Sequence, residues 1–76
     1  MALEYKIRYD KGADSIYIKI REGQVYESDE VAPGVVVDYD KDGEIIGVEI
    51  LWFSKRKVDL TKLLTEGVDS LIVSIK

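Results

Sequence analysis

The chain has 76 residues, of which 46% are hydrophobic and 34% charged, and its formal net charge is -4. It contains no cysteine and no histidine, which excludes disulfides, thiolate sites and the commonest zinc ligand. This length predicts a single small domain over residues 1–76, and the residues suggest no cofactor site. No stretch approaches the roughly 20 apolar residues that span a bilayer.

The composition also bears on location and habitat. The first residues, MALEYKIRYD, have no basic region leading into a long apolar run, so we predict a cytoplasmic protein that does not associate with membranes. Glu, Lys and Asp are abundant and Asn is absent, which is typical of heat-adapted proteins.

Two alternating segments, Leu3–Asp10 and Ser15–Arg21, predict the first hairpin. The polar loop Lys11–Asp14 joins them, so Asp10 should face Ser15. This register puts three apolar pairs on one face: Tyr9 with Ile16, Ile7 with Ile18, and Tyr5 with Ile20. A third strand is expected to begin at Gln24. Pairing it back on the second would put Glu27 on the apolar face, so we expect this strand to be short or to contain a bulge. Residues 28–34 are expected to form a crossing loop.

The stretch Val35–Trp52 predicts a second hairpin, because Asp42-Gly43 is a strong turn signal between two apolar segments. A turn of two or four residues pairs Tyr39 with Ile46, Val37 with Val48, and Val35 with Ile50.

Asp59 and Gly67 are placed to begin and end a short helix whose apolar face carries Leu60, Leu63 and Leu64. Alternation at Leu71, Val73 and Ile75 then predicts a final strand. The predicted fold class is α+β: a mainly antiparallel β-sheet of five or six strands built from hairpins, one short C-terminal helix and a final strand.

One spacing resembles a known ligand site. The acidic residues of a calcium loop, D-x-D-x-D-G-x-I-x-x-x-E, have counterparts in Asp38, Asp40, Asp42 and Glu49. The flanking residues, however, include Pro33, Gly34 and three consecutive valines, which favour strands over the helices of an EF-hand. We therefore interpret Asp42-Gly43 as a solvated hairpin turn and predict no metal site, with these four acids as the candidates for a weak divalent-cation site.

In the predicted hairpin, Asp38 and Glu49 share a face with the apolar residues Val36, Ile45 and Leu51. Such carboxylates either form ion pairs with basic residues of a neighbouring strand or partner subunit, or have raised pKa values and act as acid or base. Gly47, opposite Asp38, marks a close backbone approach or a bulge.

Basic and aromatic residues raise a further alternative, nucleic-acid binding. One stripe of the first hairpin combines Lys6, Arg8, Tyr17, Lys19 and Arg21, and a second group follows Trp52-Phe53 at residues 55–57. The negative net charge argues against nucleic acid as a partner.

Three blocks of sequence resemble a family of small prokaryotic proteins called domain of unknown function 2283. They are YDKGADSIYIKI from Tyr9, VAPGVVVDYD from Val31, and DGEIIGVEIL from Asp42, within about residues 5 to 55. The resemblance implies a small, mainly antiparallel β domain and carries no established activity, ligand or catalytic residue.

These observations favour a non-catalytic interaction or assembly module whose protein partner the residues do not identify. The alternatives are a cation site or carboxylate enzyme at Asp38 and Glu49, and nucleic-acid binding through the basic stripe. We expect a homodimer, because Val36, Ile45, Leu51 and Ile72 leave more apolar surface on the second face of the sheet than one small domain covers.

Overall fold

The computed structural model describes residues 5–75, which form a five-stranded antiparallel sheet followed by two helices. The α+β class, mainly sheet, is confirmed. The strands are β1 (Lys6–Asp10), β2 (Ser15–Lys19), β3 (Glu27–Ala32), β4 (Val35–Tyr39) and β5 (Ile45–Ile50). A 3-10 turn at Phe53–Lys55 leads to α1 (Thr61–Glu66) and α2 (Val68–Ile75).

The first hairpin has the predicted register, from Lys6 opposite Lys19 to Asp10 opposite Ser15. Leu3 and Glu4, the first two residues of the predicted strand, lie outside the described residues. Beyond this hairpin the order of strands is β1-β2-β5-β4-β3. The third strand was wrongly placed, because β5 and not β3 pairs with β2.

β3 occupies most of the stretch that was predicted to be a crossing loop. It pairs with β4 at the far edge of the sheet, with Ser28 opposite Asp38. Four of its six residues are Glu, Ser or Asp, and these residues show no apolar alternation. An edge strand has only one strand neighbour, so it can remain polar, and its sequence therefore resembles a loop.

The second hairpin keeps the predicted pairs Val35 with Ile50 and Val37 with Val48, but it contains a bulge. Tyr39 pairs with Ile45 instead of Ile46, and Ile45 packs against the core. Ile46 is buried, yet it lies outside the main core cluster. The prediction that Ile45 lies on the face of the sheet opposite the core is therefore wrong, because the bulge turns Ile45 toward the core.

The core lies between one face of the sheet and the two helices. Its buried residues are Ile16, Ile18, Val35, Val37, Val48, Ile50, Leu63, Leu71 and Ile72. α1 ends at Gly67 as predicted, but its N-cap residue is Leu60 and not Asp59. The Asp59 carboxylate, one residue before the cap, accepts the Thr61 N–H at 3.0 Å. Leu64 was predicted to share the apolar face of this helix, but it is exposed.

The predicted final strand is wrong, because residues 68–75 form α2. Val68, Leu71, Ile72 and Ile75 have helical spacing and pack into the core, whereas Val73 is exposed. Ile72 is therefore covered within the chain and contributes no apolar surface to a second face. Among residues 5–75, neither helix has the length and apolar character needed to cross a membrane.

Candidate functional site

The candidate site is the face of the sheet opposite the helices, which we call the open face. Alternation along the strands places Lys6, Arg8, Tyr17, Lys19, Gly47, Glu49, Val36, Asp38 and Ser28 on it. None of these residues belongs to the core cluster. The face is divided by charge, since basic residues lie on β1 and β2 and acidic residues lie on β5, β4 and β3.

A hydrogen-bonded row crosses the open face from β2 to β3. The Tyr17 hydroxyl donates to Asp38 Oδ2 at 2.9 Å, and the Ser28 hydroxyl donates to Asp38 Oδ1 at 2.6 Å. Both carboxylate oxygens of Asp38 therefore accept hydrogen bonds within the sheet. Ser28 was missed because β3 was predicted to be a loop, and only the register of β3 on β4 places it opposite Asp38.

Gly47 makes this row possible. A Cβ at Gly47 would overlap the Tyr17 hydroxyl oxygen and lie 2.6 Å from Cζ, so the phenol end of Tyr17 occupies the space above the glycine. Of the two alternatives considered for Gly47, the structure shows close approach, although by a side chain, and the bulge lies at the neighbouring Asp38/Tyr39 step.

The environment of Tyr17 keeps its hydroxyl protonated. Burial raises the pKa of Tyr17 to about 12, and the hydrogen bond to Asp38 and the charges of Asp38 and Glu49 act in the same direction. At neutral pH this phenol therefore donates its hydrogen bond to Asp38. The row therefore has a structural role, in holding Tyr17 across the sheet.

The four acids of the calcium-like spacing are separated by the hairpin. Asp38 lies in β4 and Glu49 in β5, while Asp40 accepts the N–H groups of Asp42 at 2.8 Å and of Glu44 at 3.0 Å within the turn. Across residues 5–75, no three potential metal-ligating side chains come together. The strands on both sides also exclude the helices of an EF-hand.

The ion pairs differ from those suggested for Asp38 and Glu49. In the part of the chain that the structure describes, Lys6 and Lys19 of the open face pair with another carboxylate, as does Arg21 just beyond β2. Glu22 lies 2.7 Å from Lys19 and 3.5 Å from Lys6, and Glu44 lies 3.6 Å from Arg21. Pairing of Asp38 or Glu49 with a partner subunit stays a prediction.

The structure brings the predicted basic stripe together in one groove. This groove, which we call the basic groove, has a volume of about 490 Å³. Its lining comprises Lys6, Ile7, Arg8, Tyr17, Lys19, Arg21, Gly23, Val25 and Ile46. The last three were missed, because Gly23 and Val25 belong to the connection after β2 and Ile46 reaches the groove through the bulge.

The second basic group forms a separate cluster. The Arg56 guanidinium lies 5.4 Å from the Trp52 ring centroid, and Arg56 also donates to the Pro33 carbonyl. Gly34, at φ 74°, lies against both side chains. These contacts hold the turn after β5 against the turn before β4, which gives Trp52 and Arg56 a structural role.

A protein-family model described as "Protein of unknown function (DUF2283)" matches residues 6–54, which include all five strands. No curated protein and no solved structure matches the chain.

Proposed function

We propose that this chain, which belongs to the DUF2283 family, is a non-catalytic assembly module that forms a homodimer through the outer edge of β1. The observation that carries the proposal is the exposure of this edge strand. All five residues of β1 are exposed, and its apolar residues Ile7 and Tyr9 remain 49% and 47% exposed. A flat edge strand with apolar side chains is a template for pairing with another strand.

The position of these apolar residues supports the proposal. Ile7 pairs with Ile18 and Tyr9 with Ile16, so both lie on the core side of the sheet, at its margin. Among residues 5–75, β2 is the one strand that pairs with β1. A second β1 would continue the sheet and cover both apolar residues, which the helices leave half exposed.

The sequence of β1 is complementary to itself. In an antiparallel pair centred on Arg8, Lys6 faces Asp10 of the second copy, and Ile7 faces Tyr9 of the second copy. Opposite-charge and aromatic-aliphatic cross-strand pairs each contribute roughly 0.2–1 kcal/mol. The two Arg8 residues meet at the axis, where their long side chains extend from the polar face and can separate.

The opposite edge of the sheet is unsuited to self-pairing. β3 carries Glu27, Asp29 and Glu30, so two copies of it would bring carboxylates together. Charged edge strands are a common way of preventing association. The contrast between the two edges favours β1 as the contact between subunits and a closed dimer over an extended sheet.

The mass of the chain in solution tests the dimer. Light scattering at micromolar concentration should give twice the chain mass of 8.6 kDa, and Ile7→Lys should reduce it to the monomer mass. Val73→Lys is a matched control, because Val73 is an exposed apolar residue on α2, away from β1. A monomer mass for the unsubstituted chain would contradict the proposal.

The register can be tested by cross-linking, since the chain has no cysteine. Opposed residues of an antiparallel pair have Cα atoms about 4.5–5.5 Å apart, which a disulfide can bridge. Arg8→Cys should therefore form a covalent dimer under mild oxidation, faster than Val73→Cys. Equal rates for the two variants would rule out this register.

A further inference from the structure

The basic groove combines four cationic side chains with apolar residues and one aromatic ring. We propose that it binds single-stranded nucleic acid, with backbone phosphates on its lysine and arginine side chains and a base against Tyr17 and the apolar wall. The groove forms within one chain, and two of its residues, Lys6 and Arg8, also lie on β1, the strand of the proposed dimer contact. No carboxylate contributes to its lining, which includes four of the chain's eleven lysines and arginines.

Two of the cations, Lys6 and Lys19, share one carboxylate, Glu22, while Arg21 pairs with Glu44 at 3.6 Å. Lys6 and Lys19 face each other across β1 and β2, and like charges in directly opposed positions destabilise a sheet. Glu22 is the carboxylate near both, and its side chain is 73% exposed. Such an exposed ion pair contributes little to stability, so a phosphate can replace it at low cost.

Arg8 provides a second anchor. No carboxylate among residues 5–75 forms a salt bridge with Arg8, which lies opposite Tyr17 on the neighbouring strand. Its guanidinium can bind phosphate oxygens in a bidentate manner. Lys19 pairs with Lys6, and Arg8 lies two residues farther along β1, on the same face. The cations are therefore spaced along the strand direction, and a phosphate backbone lying in this direction can contact each of them.

The remaining lining suits a nucleobase. Val25 and Ile46 provide an apolar wall, and Val25 is 48% exposed. Tyr17 is held in place by its hydrogen bond to Asp38, so its ring is already oriented when a ligand arrives. Bases stack on such aromatic side chains without sequence preference.

The charge distribution favours a single strand over a duplex. The basic residues lie on β1, β2 and the connection that follows, while Glu49 and Asp38 lie on the next two strands of the same face. A duplex that covered this face would bring its second phosphate backbone against those carboxylates. A single strand along the first hairpin avoids them.

Fluorescence anisotropy with a labelled oligothymidylate at low salt tests the site in the 76-residue chain. We expect saturable binding that weakens as salt is added. Lys19→Gln and Arg8→Gln should each weaken it several-fold, and Glu22→Gln should strengthen it because it removes the competing carboxylate. Lys62→Gln is the matched control, since Lys62 forms a comparable exposed pair with Glu66 on α1.

Equal losses for Lys62→Gln and Lys19→Gln would overturn the proposal, because binding would then reflect general charge. Unchanged or weaker binding by Glu22→Gln would also overturn it. Competition separates the ligand sources: unlabelled oligothymidylate should displace the probe far better than thymidine monophosphate, which supports a strand. If inorganic phosphate at matched ionic strength displaced the probe as well as unlabelled oligothymidylate does, the groove would be a general anion site. That result would contradict the proposal that it binds nucleic acid.

Discussion

The Tyr17 hydroxyl reaches Asp38 Oδ2 at 2.9 Å by crossing over Gly47, which lies on the strand between them. The bond joins β2 to β4, which are not neighbours in the sheet. Ser28 extends the row to β3. The row formed by Tyr17, Asp38 and Ser28 thus depends on the absence of a side chain at Gly47 on β5.

Gly47→Ala should lower the free energy of unfolding by about 1–3 kcal/mol, because the new Cβ would overlap the Tyr17 phenol. Urea denaturation measures the change. Gly12→Ala is the control, since its Cβ would lie 3.5 Å from the nearest atom, and it should change stability by less than about 0.5 kcal/mol. In a Tyr17→Ala background the cost of Gly47→Ala should shrink, and an unchanged cost would refute the overlap.

Two tyrosines should ionise at unusually high pH: Tyr17, and Tyr9, whose pKa is raised chiefly by its hydrogen bond to Asp14. Ultraviolet titration of the five tyrosines should resolve one with a pKa of about 12, and Tyr17→Phe should remove it. Asp38→Asn should lower this pKa in part, because burial, the largest cause, remains. The folded pKa exceeds the ordinary value of 10.0, so Tyr17 stabilises the fold below pH 10 and loses that contribution between pH 10 and about 12.

Asp14 should make the protein less stable as the pH falls, whereas Tyr17 makes it less stable as the pH rises. Its carboxylate accepts the Ser54 hydroxyl at 2.7 Å, the Ser54 N–H at 3.0 Å and the Tyr9 hydroxyl at 2.9 Å. The Ser54 hydroxyl is the largest cause that lowers the pKa of Asp14 below its ordinary 3.8. Asp14 therefore stabilises the fold above that value, and the contribution is lost as pH falls through the lowered pKa.

Asp14→Asn provides the measurement, because asparagine tolerates the left-handed backbone at φ 50° and removes the charge together with one of the two accepting oxygens. Chemical denaturation between pH 2 and 6 should give a smaller acid-induced loss of stability for this variant than for the unsubstituted chain. Asp29→Asn, on exposed β3, serves as the control. Identical pH profiles for Asp14→Asn and the unsubstituted chain would count against the role of Asp14.

The helical structure of residues 68–75 predicts unequal effects at two neighbouring apolar positions. Leu71 is fully buried and Val73 is 72% exposed. Leu71→Ala should cost about 2–5 kcal/mol in the free energy of unfolding, whereas Val73→Ala should cost less than about 0.5 kcal/mol. A strand would have placed both residues on one face, so similar costs would argue against α2.

Features determined by residues close together in the sequence were predicted correctly, and features that depend on distant contacts were not. The register of the first hairpin was predicted in full, because alternation and the polar loop between Asp10 and Ser15 determine it locally. The Ile45–Ile46 bulge was missed, since both residues are apolar and either can occupy the buried position. In α2, the apolar residues fit both the two-residue period of a strand and the 3.6-residue period of a helix. The helix forms because it packs Val68, Leu71, Ile72 and Ile75 into the core.

The candidate site was predicted only in its parts. The basic stripe was identified from the sequence because its members alternate along two adjacent strands. Gly23, Val25 and Ile46, which complete the groove, come from a connection and a bulge without such a pattern. The predicted dimer surface also changed, because Ile45 and Ile72 pack in the core, and the apolar residues that remain half exposed on the sheet include Ile7 and Tyr9.

By itself, the sequence determines two hairpins, a short helix that ends at Gly67 and a chain with no thiol or imidazole chemistry, because these follow from residue type and local spacing. Only the tertiary structure decides that β5 lies between β2 and β4. That placement puts Gly47 beneath Tyr17 and brings Asp38 within reach of its hydroxyl. Contacts between residues so far apart in the chain depend on which strands share the core, and no local pattern encodes that choice.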